Sequence, residues 1–208
     1  MFYGPTSDNY WEENFKAVIV NMEPWGYEGR FIVDAGELHN WLDAGDTKKT
    51  STTKYSYTIL SVLLNAIYSN LKVTRDHFYH TYREKEELRS TVDRTVYYNI
   101  KSVSNDTRHQ DYAGIVNSGK GDLGQLIWDE IRSLEPDVLI VTGAATVYAI
   151  NNILGDSSLV YKGWTRTKEG ISIYSIRHAS LPSYQAWADT VNQILAEQGS
   201  AHQSTTAP

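Results

Sequence analysis

The 208-residue sequence contains no cysteine. That excludes thiol nucleophiles, disulfides, cysteine-ligated iron–sulfur clusters and any zinc site built on sulfur. No metal and no cofactor is expected. No apolar run approaches the ~18 residues that mark a spanning helix, so no membrane partner is expected. The stretch from Met1 to Asn9 is polar and lacks a secretory pattern, which predicts a cytoplasmic protein. Positive charge is in short supply: 19 Lys and Arg stand against 25 Asp and Glu, for a net charge of −6. A generally basic nucleic-acid coat is therefore excluded. What is present fits a globular body, with 41% hydrophobic and 21% charged residues. The length suffices for one α/β domain with a core that needs no disulfide or metal.

The charge is uneven. Residues 1–41 carry −5, residues 42–110 carry +3 and residues 111–208 carry −4. The middle segment offers a local anion-binding face, although a solvated helical surface gives the same pattern. No internal repeat or interdomain linker is visible. A single domain is expected over residues 1–197, followed by a small, polar, disordered tail over 198–208.

Ala17-Val18-Ile19-Val20 is a short apolar run that stops at Asn21 and reads as a buried strand. Ala35 to Leu42 reads as a short helix. Between Tyr57 and Leu71, a helical stripe holds Leu60, Leu63, Leu64, Ile67, Tyr68 and Leu71. Asp76 to Arg89 is a charged helical stretch. Arg94 to Ile100, RTVYYNI, is β-branched and aromatic and reads as a second strand. Asp122 can cap a helix to Leu134 whose apolar positions are Leu123, Leu126, Ile127 and Ile131. Val138 to Val141 is a third strand, Gly143-Ala144-Ala145 turns into a helix through Ile150, and Gly170 to Ile176 is a fourth strand. A helix from Tyr184 to Glu197 closes the body.

Strands separated by helices predict an α/β fold with a mainly parallel, four-stranded sheet and right-handed crossovers. Ligands of such sheets bind beyond the carboxyl ends of the strands. The segments to examine are therefore Asn21-Met22-Glu23-Pro24-Trp25-Gly26, Asn99-Ile100-Lys101, Thr142-Gly143-Ala144 and Arg177-His178-Ala179-Ser180. A carboxylate, an amide and an imidazole thus emerge at neighbouring strand ends. Each alone has an ordinary structural use, as a turn residue, a backbone partner or a loop histidine.

These motifs, in this order, resemble the uracil-DNA glycosylase superfamily. NMEPWG follows the first strand, with Glu23 in the position where that family has Asp, Asn or Glu before Ala or Pro. GRFIVDAG, residues 29–36, is similar to the Gly-rich stretch with Phe of the iron–sulfur branch, although the cluster's cysteines are absent. RTVYYNIK supplies a strand ending in Asn, LEPDVLIVTG a strand ending in Gly, and RHASLPS stands where the family has His-Pro-Ser. Ala179 replaces that Pro, the spacing from Glu23 to Phe31 is short, and residues 47–94 have no familiar counterpart.

The resemblance implies a three-layer α/β/α sandwich and a monofunctional DNA glycosylase acting as a monomer. Its substrate would be a flipped-out pyrimidine, either uracil or a modified cytosine such as the glucosylated bases of phage DNA. DNA repair and anti-phage defence are the roles this implies. N-glycosidic hydrolysis places positive charge on the sugar and negative charge on the departing base. Glu23 would stabilise the sugar and orient water, and His178 would donate to the leaving pyrimidine. Asn99 carries a donor and an acceptor on one amide and would read the base edge. Phe31, Trp25 and Tyr27 would stack on the base or wall the pocket. Leu181 would fill the gap left by the flipped nucleotide, and Arg177, Ser180, Ser183 and Lys101 would contact DNA nearby. Asn117 is a further polar candidate in a stretch, Gly114 to Gly121, that also reads as a loop. Two other classes stay open: a catalytically silent nucleic-acid-binding module, and a hydrolase of free nucleosides or nucleotides.

Overall fold

A computed structural model describes residues 8–21, 64–74, 85–100, 111–176 and 188–197. The chain divides into two compact units. The first takes Met1–Glu37 and Asp93–His178, and the second takes Leu38–Val92 and Ala179–Pro208.

The first unit is built on a five-stranded sheet. Its elements in chain order are α1 (Asn9–Glu12), β1 (Ala17–Asn21), then β2 (Val96–Asn99), which follows helix α2 (Lys85–Asp93). There follow α3 (Tyr112–Ser118), α4 (Gly121–Ser133), β3 (Val138–Thr142), α5 (Ala144–Leu154), β4 (Trp164–Arg166) and β5 (Ser172–Ile176). The strand order is β2-β1-β3-β5-β4. The pairings of β1 with β2, β1 with β3 and β3 with β5 are parallel, and β4 alone runs antiparallel, against β5. The expected α/β class and mainly parallel sheet are present. The expected four strands are a correction: Trp164–Arg166 is a fifth, a three-residue edge strand too short to show period-two patterning in sequence.

The strands form where β-branched and aromatic side chains run together, as in AVIVN and VLIVT. Both faces of the sheet are buried. One carries Val18, Val20, Val96, Tyr98, Leu139, Val141 and Ile173. These join Ile115 of α3, Ile127, Trp128 and Ile131 of α4, and Ala145, Ala149 and Ile150 of α5 in one core cluster. The opposite face carries Ile19, Tyr97, Ile140, Tyr174 and Ile176, also buried. Continuous apolar runs are what a parallel sheet buried on both faces requires.

The register of α4 differs from expectation. Leu123 and Leu126 are 51% and 55% exposed, and the buried stripe is Gly124, Ile127, Trp128 and Ile131. Two i, i+3, i+4 stripes overlap in this helix, and close approach selects the second. A Cβ on Gly124 would lie 2.3 Å from the Gly119 carbonyl oxygen, and one on Gly119 would lie 2.2 Å from the Ala149 carbonyl oxygen. The α3–α4 turn therefore packs backbone to backbone onto α5. Lys120 is the N-cap of α4, and Asp122 sits inside its first turn, where a carboxylate favours the helix dipole.

In the second unit, residues 64–68 and 188–197 are helical, and α2 runs from Lys85. Leu64, Ala66, Ile67, Val73, Ala188, Val191 and Ile194 are buried. Leu71, expected on the apolar stripe, lies past the helical residues and is 48% exposed. The Asn192 side chain pairs with both backbone groups of Val73, at 2.9 and 3.4 Å. Asn65 Nδ2 donates to Thr91 Oγ1 at 3.3 Å, and Thr91 Oγ1 donates to the Glu87 carbonyl at 2.9 Å. Among the described residues no helix is long and apolar enough to cross a membrane.

Candidate functional site

The strand order places a switch point at β1. From it the chain moves to β2 on one side, and β3 and β5 lie on the other. Crevices at such points, outside the carboxyl ends of the strands, are the usual ligand sites of open α/β sheets.

Cross-strand register aligns the last residues of these strands. Asn21 of β1 is paired with Asn99 of β2. Val20 is paired with Val141, which sets Asn21 beside Thr142 of β3, and Thr142 is paired with Ile176 of β5. Side chains in register share a face. The final row across one sheet face is therefore Asn99, Asn21, Thr142 and Ile176. The row beneath it is Tyr97, Ile19, Ile140, Tyr174 and, on β4, Trp164. An apolar row gives way to three adjacent short polar side chains at the carboxyl edge.

All three are buried: Asn21 is 6% exposed, Asn99 5% and Thr142 0%. Thr142 Oγ1 donates to Asn21 Oδ1 at 2.8 Å. Asn21 Nδ2 is buried and has no hydrogen-bond partner among the described residues. Turning the amide over would not repair this. The amino group would then meet Thr142 Oγ1, and the carbonyl oxygen would be the stranded atom. Thr146 Oγ1, in the first turn of α5, is a second buried polar atom without a hydrogen-bond partner among the described residues. A threonine there ordinarily bonds the carbonyl four residues back.

Backbone geometry fixes the edge. Ile100 N donates to the Asn21 carbonyl at 3.0 Å, and Gly143 N donates to the Ile176 carbonyl at 3.0 Å. Gly143 stands at φ 86° and ψ 153°, a region that only glycine occupies without strain, and it begins α5 with no side-chain cap. The turn from β3 into α5 thus presents backbone N–H groups at the same edge as the polar row.

Of the residues singled out from sequence, Asn99 is placed here, buried at the end of β2. Glu23, Trp25, Tyr27, Phe31, Lys101, Arg177, His178, Ser180, Leu181 and Ser183 lie outside the described residues. Asn117 is not at the strand ends. It is an exposed residue of α3, and its Oδ1 accepts from Lys120 Nζ at 3.1 Å. Sequence reasoning reached the segments holding Asn21 and Thr142 without assigning either a role. Their signal is a single short polar residue closing an otherwise apolar strand, VIVN and VLIVT. Comparison with protein-family models gives no match for the chain, and comparison with curated proteins gives none either.

Proposed function

We propose that the protein is a DNA glycosylase that hydrolyses the N-glycosidic bond of a flipped-out pyrimidine, uracil or a modified cytosine, and leaves an abasic site. The observation that carries this reading is the polar row Asn99, Asn21 and Thr142 at the switch point of a mainly parallel sheet. A pyrimidine presents a short planar edge of alternating donors and acceptors. Two amides on neighbouring strands offer both kinds of group over the ~5 Å between strands. The Asn21 amide supplies a donor that no group among the described residues satisfies. The motif order described above adds Glu23 two residues beyond Asn21, for the sugar and the attacking water, and His178 two residues beyond Ile176, for the departing base. The resemblance to uracil-DNA glycosylases and the three-layer architecture are part of the same reading.

The test is mass spectrometry of bases released from uracil-containing DNA, ordinary DNA and DNA with glucosylated hydroxymethylcytosine. Release of one free pyrimidine is expected, with Glu23→Gln slowing single-turnover release by about 10²–10⁴. Asn99→Ala should slow it and leave DNA binding intact. Binding without release from any substrate, or release from free nucleosides alone, would overturn the reading in favour of one of the two other classes.

A further inference from the structure

We propose that the outer surface of the β4–β5 hairpin binds single-stranded DNA, with Trp164 as a stacking platform for an unstacked base and Lys162, Arg166 and Lys168 as contacts to phosphates. The inference rests on the glycosylase reading only in taking DNA as the partner. It concerns a different surface and needs no base release.

The first ground is charge. Residues 111–208 carry a net −4, yet three of their six basic residues fall within 162–168, KGWTRTK. All three are exposed. Neither lysine nor Arg166 forms an ion pair among the described residues. The neighbouring acids are Glu169 and Asp156, both exposed. Asp156 accepts from Ser158 N at 3.0 Å and Ser158 Oγ at 2.9 Å, and it interacts with the charge of Lys168 without forming an ion pair among the described residues. With both acids counted as one each against three bases, the cluster keeps a net positive charge. A net-negative protein that approaches a polyanion must do so through such a local concentration.

The second ground is the aromatic geometry. Trp164 is 45% exposed, and Tyr161 is 40% exposed. The Trp164 ring stacks on Tyr174, with centroids 6.1 Å apart and planes 17° from parallel. Tyr174 is 2% exposed, so a buried ring backs the indole and holds its orientation. Lys162 Nζ lies 5.6 Å from the Tyr161 ring centroid. Exposed aromatic faces among cations suit a single strand, whose bases are free to stack on them. A duplex keeps its bases covered.

The third ground is rigidity. Lys162 has φ 62°, a left-handed conformation uncommon for a side-chain-bearing residue. It is held there by Lys162 N donating to Ser175 Oγ at 3.1 Å, Gly163 N to the Val160 carbonyl at 2.8 Å and Ser175 N to the Gly163 carbonyl at 2.8 Å. Arg166 Nε donates to the Gly170 carbonyl at 3.0 Å, which fixes the guanidinium along the hairpin. Register relates this surface to the site. Trp164 and Arg166 share the sheet face of Asn21 and Thr142, and β4 lies two strands from β3, about 10 Å away. A strand seated on Trp164 has its neighbouring nucleotides within reach of the polar row.

The experiment is fluorescence anisotropy of a dye-labelled oligothymidylate of about 12 nucleotides, with the full chain, over a salt series. Trp164→Ala should weaken binding about five- to hundredfold, and Trp164→Phe should recover most of the loss. Lys162→Gln with Lys168→Gln should lower the log–log salt slope by about 1.4, since each phosphate contact on a single strand contributes about 0.7. If Trp164→Ala fails to fold for want of its contact with Tyr174, the lysine pair decides alone. An unchanged slope and affinity in the lysine pair would overturn the proposal. So would displacement of the oligonucleotide by duplex DNA or polyglutamate as readily as by unlabelled oligothymidylate. A protein that binds the strand through these residues but releases no base refutes the glycosylase reading alone. One that releases base with a slope indifferent to these residues refutes the hairpin surface alone.

Discussion

Replacing the Asn21–Thr142 pair with apolar isosteres separates a site from a scaffold. Thr142→Val removes the hydroxyl that donates to Asn21 Oδ1 at 2.8 Å and leaves both ends of a buried amide unpaired among the described residues. A buried acceptor stranded in this way costs about 1–3 kcal/mol. For a chain of this size that lowers Tm by about 2–12 °C, at roughly 2–4 °C per kcal/mol. Asn21→Leu keeps the branching of the side chain and strands only the Thr142 hydroxyl. It also removes the Nδ2 that is already unsatisfied, so the two effects nearly cancel. The double replacement, Asn21→Leu with Thr142→Val, leaves no buried polar atom of the pair and should match or exceed the wild-type Tm. Its coupling energy should therefore be about 1–3 kcal/mol in favour of the double variant. Base release should move the other way, falling about 10- to 100-fold in the double variant as up to two hydrogen bonds to the pyrimidine are lost. Thermal melts of the four proteins and single-turnover release on one substrate provide the comparison. A double variant as unstable as the two single losses added together would show that Asn21 and Thr142 do not act as a coupled pair. A stable double variant with undiminished release would remove Asn21 and Thr142 from the site.

Gly119→Ala should lower Tm by about 2–12 °C, because the new Cβ would lie 2.2 Å from the Ala149 carbonyl oxygen and overpacking against backbone costs about 1–3 kcal/mol. An unchanged melt would mean that α3 and α5 separate freely. The Asp156 carboxyl is held below its ordinary value, first by the Ser158 backbone N–H, then by the Ser158 hydroxyl, with the charge of Lys168 adding to both. A depressed carboxyl stabilises the fold above its unfolded value and loses that contribution as pH falls through the folded one. Asp156→Asn should therefore flatten the acid limb of a Tm–pH curve, and an acid limb as steep as wild type would contradict this.

Much of the sheet was legible because its strands are continuously apolar and β-branched. AVIV, VYYN and VLIV are found in β1, β2 and β3, and the helices between them fix parallel pairing. What was illegible had physical reasons. β4 has three residues, with exposed ends and a half-buried centre, and its partner β5 is supplied by a turn over residues 167–171 in which Gly170 stands at φ 93°. The buried stripe of α4 is not legible in sequence because leucine at 123 and 126 is more hydrophobic than glycine at 124. Burial there follows backbone approach rather than hydrophobicity, and the partners of that approach, Gly119 and Ala149, are distant in sequence from most of the helix.

The site was legible in a different way. Topology alone sends ligands to the strand ends, so the four segments could be named from sequence. Which side chain within each segment faces the site depends on register, and register is a property of pairs of strands. Asn21 closes β1 and Glu23 lies two residues on. A one-residue slip in the register of β1 would move the amide to the opposite face of the sheet. Only the pairing of Asn21 with Asn99, and of Val20 with Val141, sets Asn21, Asn99 and Thr142 in one row. The same pairing explains why the row is costly. Each residue ends a strand whose other members are apolar, so its polar group has few partners except its neighbours in the row. Thr142 satisfies one end of the Asn21 amide, and Asn99 makes no side-chain hydrogen bond among the described residues. An apolar row would be cheaper to fold. The surplus of donors and acceptors at a switch point is therefore the feature of this fold that stability does not account for and that a bound base would use.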